Sequence, residues 1–209
     1  MKSRFVTLEG GEGAGKSTQA RALAAALEAR GERVVVTREP GGSEGAEAIR
    51  GLLLSGETSR WSARAEALLF AAARADHVER VIAPALADGA WVICDRYLDS
   101  TRAYQGEAEG IDDAAILSLH AFGSQGLMPD RTFVLELPVA EGERRASLRD
   151  AGVVDRFARR GPAFHERVAA AFRAIAAAEP KRVRLIDAAR APEAITADLL
   201  GDLLADLTS

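Results

Sequence analysis

Cysteine is almost absent from this chain. Cys94 is the only one, so no intrachain disulfide can form, and a reducing cytosol is the expected setting. Its place at the end of an apolar strand run suits a buried structural thiol better than a nucleophile. Histidine is scarce too: His77, His120 and His165 lie far apart without metal-ligand spacing, so no zinc site is expected. Positive charge is not in excess, and a net charge of −4 argues against nucleic-acid binding. No apolar run is long enough to span a membrane, and the chain opens on a strand-like run rather than a signal peptide, so no membrane partner is expected. What remains, 209 residues with 48% hydrophobic and 28% charged content, suits one globular domain with room for a lid.

The chain is rich where phosphate chemistry needs it to be. Residues 10 to 17 read Gly10-Gly11-Glu12-Gly13-Ala14-Gly15-Lys16-Ser17, a complete G-x-x-x-x-G-K-[ST] loop, followed by Thr18. A short apolar run precedes it and an alanine-rich helix former follows, which is the strand–loop–helix context the motif requires. Glycines let backbone N–H groups converge on an anion, and the helix N-terminus adds partial positive charge. Lys16 can reach the outer phosphates of a nucleotide, and the Ser17 hydroxyl can ligate Mg²⁺. A glycine-rich turn matched by accident would lack both flanks.

Strand-like runs at 5–8, 34–37, 91–94, 132–137 and 183–186 alternate with helical stretches at 16–30, 43–54, 64–87, 112–122, 139–150, 163–178 and 192–206. That order predicts an α/β fold with a five-stranded parallel sheet and helices on both faces. The strands are nearly continuously apolar, as both-faced cover demands. Between Arg144 and Arg173 eight arginines face three acidic residues, and Gly152 and Gly161-Pro162 interrupt the helical pattern. Alone, such a stretch reads as a solvated face; beside a phosphate loop it reads as an arginine-bearing lid, placed at about 142–162.

The phosphate loop implies a nucleoside triphosphate and Mg²⁺ but not a reaction. The guanine-reading Asn-Lys-x-Asp of GTPases is missing, and motor ATPases usually need a longer chain, so a small kinase leads. Its acceptor belongs at the carboxyl ends of the other strands. There stand Thr37-Arg38-Glu39-Pro40-Gly41-Gly42, then Asp95-Arg96-Tyr97, then Asp99-Ser100-Thr101-Arg102-Ala103-Tyr104-Gln105-Gly106. Arg38 and Arg96 suit a phosphorylated acceptor, although each could instead pair structurally with Glu39 or Asp95. Asp95 stands where a Mg²⁺-linked carboxylate belongs. Phe70, Arg74 and His77 share one helical face, where an aromatic plane and a planar donor could stack on and hydrogen-bond a nucleobase.

Taken together, the segments from Leu8 to Thr18, from Thr37 to Gly42, from Leu69 to Arg74, from Asp95 to Tyr97 and from Ser100 to Gly106 resemble the thymidylate kinase family in order and spacing over essentially the whole chain. The resemblance implies a P-loop fold, ATP and dTMP as substrates, Mg²⁺ as cofactor, and a homodimer. It implies that residues 10 to 18 bind ATP and that Arg38 and Arg96 hold the dTMP phosphate. Phe70 would stack on thymine and Arg74 would donate to its carbonyl. Ser100 or Thr101 with Gln105 would complete the base contacts. Tyr104 would lie against the 2′ carbon, Glu9 near the 3′-hydroxyl, and Pro40 after a cis peptide. Glu12, an acid among phosphates, calls for an answering cation, which the arginine-rich lid would supply. Arg156 leads, with Arg149 second. The resemblance departs at the lid, where Ala158 follows Asp155-Arg156-Phe157 in place of the glutamate of many bacterial relatives. The rival readings are a kinase for dUMP or UMP, and a nucleotide-dependent switch that hydrolyses ATP without an acceptor.

Overall fold

The computed structural model describes residues 5–150 and 156–207. Strands β1 (Phe5–Gly10), β2 (Val34–Arg38), β3 (Trp91–Asp95), β4 (Arg131–Glu136) and β5 (Val183–Asp187) pair in parallel in the order β2-β3-β1-β4-β5. Each lies within two residues of its expected bounds. The chain leaves β1 toward one edge and returns to its other side at β4, so the carboxyl end of central β1 is flanked by both halves of the sheet.

Side-chain alternation divides the core between the faces. Val6, Leu8, Trp91, Ile93, Phe133 and Leu135 pack against Leu23 and Leu27 of α1 (Lys16–Glu28) and Ile195, Leu199 and Leu203 of α9 (Pro192–Leu207). On the opposite face, Phe5, Val92 and Cys94 meet Ile116 of α6 (Asp113–Ser124), together with Val78 and Ile82. Val134 and Val183 there pack against Val168 and Phe172 of α8 (Pro162–Ala178). Burying each large apolar side chain contributes about 1.5–3 kcal/mol, so both layers are needed to hold the central strands. Cys94 is fully buried, its thiol lies 3.0 Å from the Arg96 carbonyl, and burial raises its pKa well above the ordinary value.

Two helical expectations need correction. The stretch expected as one helix over 64–87 is α3 (Ala63–His77), a π-helical turn over Val78–Ile82, and α4 (Ala83–Ala87). Pro84 explains the break: without an N–H, and with a ring that crowds the carbonyl four residues back, it cannot continue an α ladder. Conversely, the sequence predicts no helix directly after Asp95, yet α5 (Leu98–Thr101) runs into a second π turn over Arg102–Glu107. Aspartate, serine, threonine and glycine are weak helix formers. Tertiary ion pairs compensate, because Arg102 binds Asp99, Asp113 and Glu179 at 3.1, 2.8 and 2.6 Å. Helices α2 (Glu44–Leu54) and α3 are capped by Ser43 and Ser62. Helix α1 has neither a side-chain cap nor an acid in its first turn, which leaves its orphan N–H groups for an anion. Helix α7 (Val139–Asp150) begins the expected lid, and residues 156–161 lead into α8.

Candidate functional site

The phosphate loop bends out of β1 at Gly10, with Gly13 and Gly15 at φ of 66° and 89°. Lys16 folds back so that Nζ donates to the Gly11 carbonyl at 2.7 Å. Burial pushes its pKa down to about 8, and the Arg96 charge adds to the shift. Negative phosphates would reverse that push. Ala14 is buried beneath the loop, and Gly13, Gly15, Ser17 and Thr18 face a cavity of about 450 Å³. The Ser17 hydroxyl donates a short hydrogen bond to Asp95. A hydroxyl and a carboxylate side by side at a phosphate loop are hard-oxygen groups of the kind that suits Mg²⁺.

Arg96, at the end of β3, holds a left-handed φ of 68°, an uncommon conformation for a residue with a side chain and one kept by its surroundings. Its N–H bonds the Leu8 carbonyl at 2.9 Å. The guanidinium donates to the Gly10 carbonyl at 3.0 Å, to Ser100 Oγ at 3.2 Å and to Glu12 Oε1 at 2.7 Å, and it lies over the Tyr104 ring at 5.2 Å. Among the described residues Arg96 is a cation that answers Glu12, at the junction of the phosphate loop and the acceptor side. Glu9, one strand over, is fully buried and accepts from Tyr97 N at 2.8 Å and Ser100 Oγ at 2.5 Å. Burial, reinforced by the charge of Asp99, pushes its pKa up to about 8.

The rest of the cavity is built by α2, α3 and α5. Arg74 is buried: Nε binds Glu39 at 2.7 Å, and Nη2 binds Thr101 Oγ1 at 2.8 Å and the Tyr97 carbonyl at 3.2 Å. His77, on the same helical face, lies 3.0 Å from Glu39 and 2.7 Å from Thr37. Pro40 follows a cis peptide, and Arg38, half exposed, pairs with Glu47 at 2.8 Å. Phe70, Ser100, Tyr104 and Gln105 complete the wall. The Tyr104 hydroxyl is buried without a partner among the described residues, and burial pushes its pKa up to about 12.

The lid departs from expectation. Arg156 is fully buried, and it donates to the Leu53 carbonyl and, by a short ion pair, to buried Glu66. The physical reason is electrostatic: a guanidinium buried there would be an unpaired charge without Glu66. Arg156 therefore sits behind the acceptor wall and makes no bond to the phosphate loop. The side chain of Arg149 lies outside the described residues. Sequence reasoning missed Phe157, Arg50, Leu54 and Arg21, all of which line the cavity. The ring of Phe157 lies 5.8 Å from that of Phe70, and the Arg50 guanidinium reaches the Pro40 carbonyl at 2.6 Å. The Asp155-Arg156-Phe157 motif could have flagged Phe157; nothing local marks Glu66.

Comparison with known proteins agrees with this geometry. The family description for thymidylate kinase matches residues 8–199. A thymidylate kinase of Rhizorhabdus wittichii is 62% identical over 209 residues, 99% of each chain, and one of Bradyrhizobium sp. (strain BTAi1) is 52% identical over 93% of this chain and 87% of its own. The crystal structure of thymidylate kinase from Ehrlichia chaffeensis superposes with a TM-score of 0.77 at 33% identity, covering 97% of this chain and 99% of the other. The chain belongs to the thymidylate kinase family.

Proposed function

We propose that the site transfers the γ-phosphoryl group of ATP to dTMP, giving ADP and dTDP on the way to dTTP. The observation that carries this reading is Arg96, whose guanidinium bonds the phosphate loop through Gly10 and Glu12 and the acceptor side through Ser100. A cation at that junction neutralises both reacting phosphates. The dTMP phosphate is its own nucleophile, since a monoester with second pKa about 6 is largely dianionic at pH 7, and no general base is required. Catalysis is then positioning and charge neutralisation. Residues 10 to 18 and the uncapped start of α1 cradle ATP, with Lys16 on its outer phosphates. Ser17 and Asp95 would hold Mg²⁺, which would supply neutralisation of phosphate charge.

On the acceptor side, Arg38 and Arg96 take the dTMP phosphate, Phe70 stacks on the base, and Arg74 donates to its carbonyl. Ser100, Thr101 and Gln105 complete the base contacts. Pro40 shapes the wall, Tyr104 fills the space beside the 2′ carbon, and Glu9 acts through Ser100 near the 3′-hydroxyl. With Arg156 committed to Glu66, Arg149 on α7 is the lid arginine carried forward. Phe122 on α6 and Leu68 on α3 are 92% and 57% exposed, and pairing two copies through these helices would cover them, in keeping with a homodimer. Among the described residues no helix is long and apolar enough to cross a membrane, and the single buried thiol suits a reducing cytosol. A phosphoryl-transfer assay over dTMP, dUMP, UMP, CMP and AMP tests the assignment. The expected result is a preference for dTMP, and ATP turnover indifferent to every added monophosphate would overturn it.

A further inference from the structure

We infer that Glu66 is the positioning residue through which the site tells thymine from cytosine. It acts by fixing which end of the Gln105 amide faces the base. The inference rests on the dTMP reading above.

Glu66, on α3, is fully buried, and two guanidinium groups converge on its Oε1: Arg156 by a short ion pair and Arg160 at 2.9 Å. A carboxylate paired with two guanidinium groups offers its neighbours only acceptors. Its other oxygen lies 3.1 Å from the Gln105 side chain, so Gln105 must present its NH₂ there. An amide that can otherwise turn over is thereby locked in one orientation. Gln105 lines the cavity, and among the described residues its Oε1 has no hydrogen-bond partner. With its NH₂ held by Glu66, Gln105 has a carbonyl acceptor left to offer the base.

Arg74 supplies the complementary half. Nε is taken by Glu39 and Nη2 by Tyr97 and Thr101, so Nη1 is the donor left for the cavity it lines. A fixed donor and a fixed acceptor lining one cavity match thymine, which offers O4 as acceptor and N3–H as donor. Cytosine inverts both, with a 4-amino donor and an N3 acceptor. It would set donor against donor and acceptor against acceptor, leaving buried polar groups unpaired. Arg156, which the sequence offers as a phosphate clamp, becomes the counter-charge of the base-reading device.

The test is steady-state kinetics with dTMP and dCMP on the unaltered protein, Glu66→Gln, Gln105→Ala and the double variant, with folding followed by circular dichroism. The unaltered protein must first prefer dTMP; if it does not, the dTMP reading fails before Glu66 is at issue. The carboxamide introduced by Glu66→Gln can donate as well as accept, which releases the Gln105 amide to turn over. The kcat/KM ratio of dTMP to dCMP is then expected to narrow at least tenfold, mostly through KM for dTMP, with KM for ATP unchanged. Glu66→Gln should add nothing further in the Gln105→Ala background. If Glu66→Gln does not fold, Glu66→Asp keeps the charge for the arginines but shortens the reach to Gln105, and the same narrowing is expected. A folded variant at position 66 with an unchanged ratio overturns the inference, as does a parallel loss for both nucleotides.

Discussion

The phosphate loop touches the lid helix backbone to backbone, and one methyl group should be enough to break that fit. Gly13 and Gly142 face each other: a Cβ on Gly13 would stand 2.9 Å from the Gly142 carbonyl carbon, and one on Gly142 would press into the Glu12 carbonyl oxygen well inside 3.0 Å. To regain an ordinary contact of at least 3.4 Å after Gly142→Ala, loop and helix must part by about 1 Å. Displacements of about 1 Å near reacting groups can lower rates by about 10²-fold. Gly142 lies within α7, where alanine is a better helix former by about 1 kcal/mol. The substitution should therefore leave the melting temperature nearly unchanged while kcat falls by about 10²-fold and KM for dTMP stays within a few-fold. Stopped-time assays of kcat and both KM values, beside thermal unfolding, decide it. A Gly142→Ala enzyme with kcat within threefold of the unaltered protein would refute the claim that this contact sets the loop.

Other outcomes follow from the same geometry. Arg96→Ala should lower kcat/KM for dTMP by about 3 kcal/mol or more, because it strips the shared cation from both phosphates; a near-normal value would remove Arg96 from the mechanism. Glu9, pushed up to about 8 from an ordinary 4.5, keeps in the fold a proton that the unfolded chain releases. Its stabilising contribution is full below about pH 4.5 and is lost as pH rises toward 8, by at most about 1.4 kcal/mol per unit. Glu9→Gln should flatten that decline in urea unfolding at pH 5, 6.5 and 8, and equal slopes in both proteins would contradict it. Arg156→Ala should raise KM for dTMP and cost about 3–5 kcal/mol of stability by uncovering buried Glu66, whereas Arg149→Ala should lower kcat with dTMP affinity intact. The reverse pattern would return Arg156 to the phosphates.

The parts of this fold that could be read from sequence are those whose causes are local. The phosphate loop is contiguous, so its glycines, Lys16 and Ser17 announced themselves, and the β-branched runs flanked by helix formers disclosed all five strands. Helix α5 is not legible in the sequence because its residues are poor helix formers, and one of the ion pairs that hold Arg102 comes from Glu179, 77 positions away. The lid arginines show the same divide more sharply. Their charge was visible as an excess, but charge alone does not name a partner. Arg156 and Glu66 are ninety positions apart, and Glu66 sits in α3 among alanines and leucines, where an acid reads as a solvated helix residue. The contacts of the 156–161 segment with α2 and α3, through Leu53, Glu66 and Phe70, are what enclose it. Once buried, Glu66 needs cations, and those nearest in space are the ones a phosphate-centred reading would send elsewhere. The number of arginines near a phosphate loop thus sets an upper bound on those available to phosphate, and each buried carboxylate within reach lowers it.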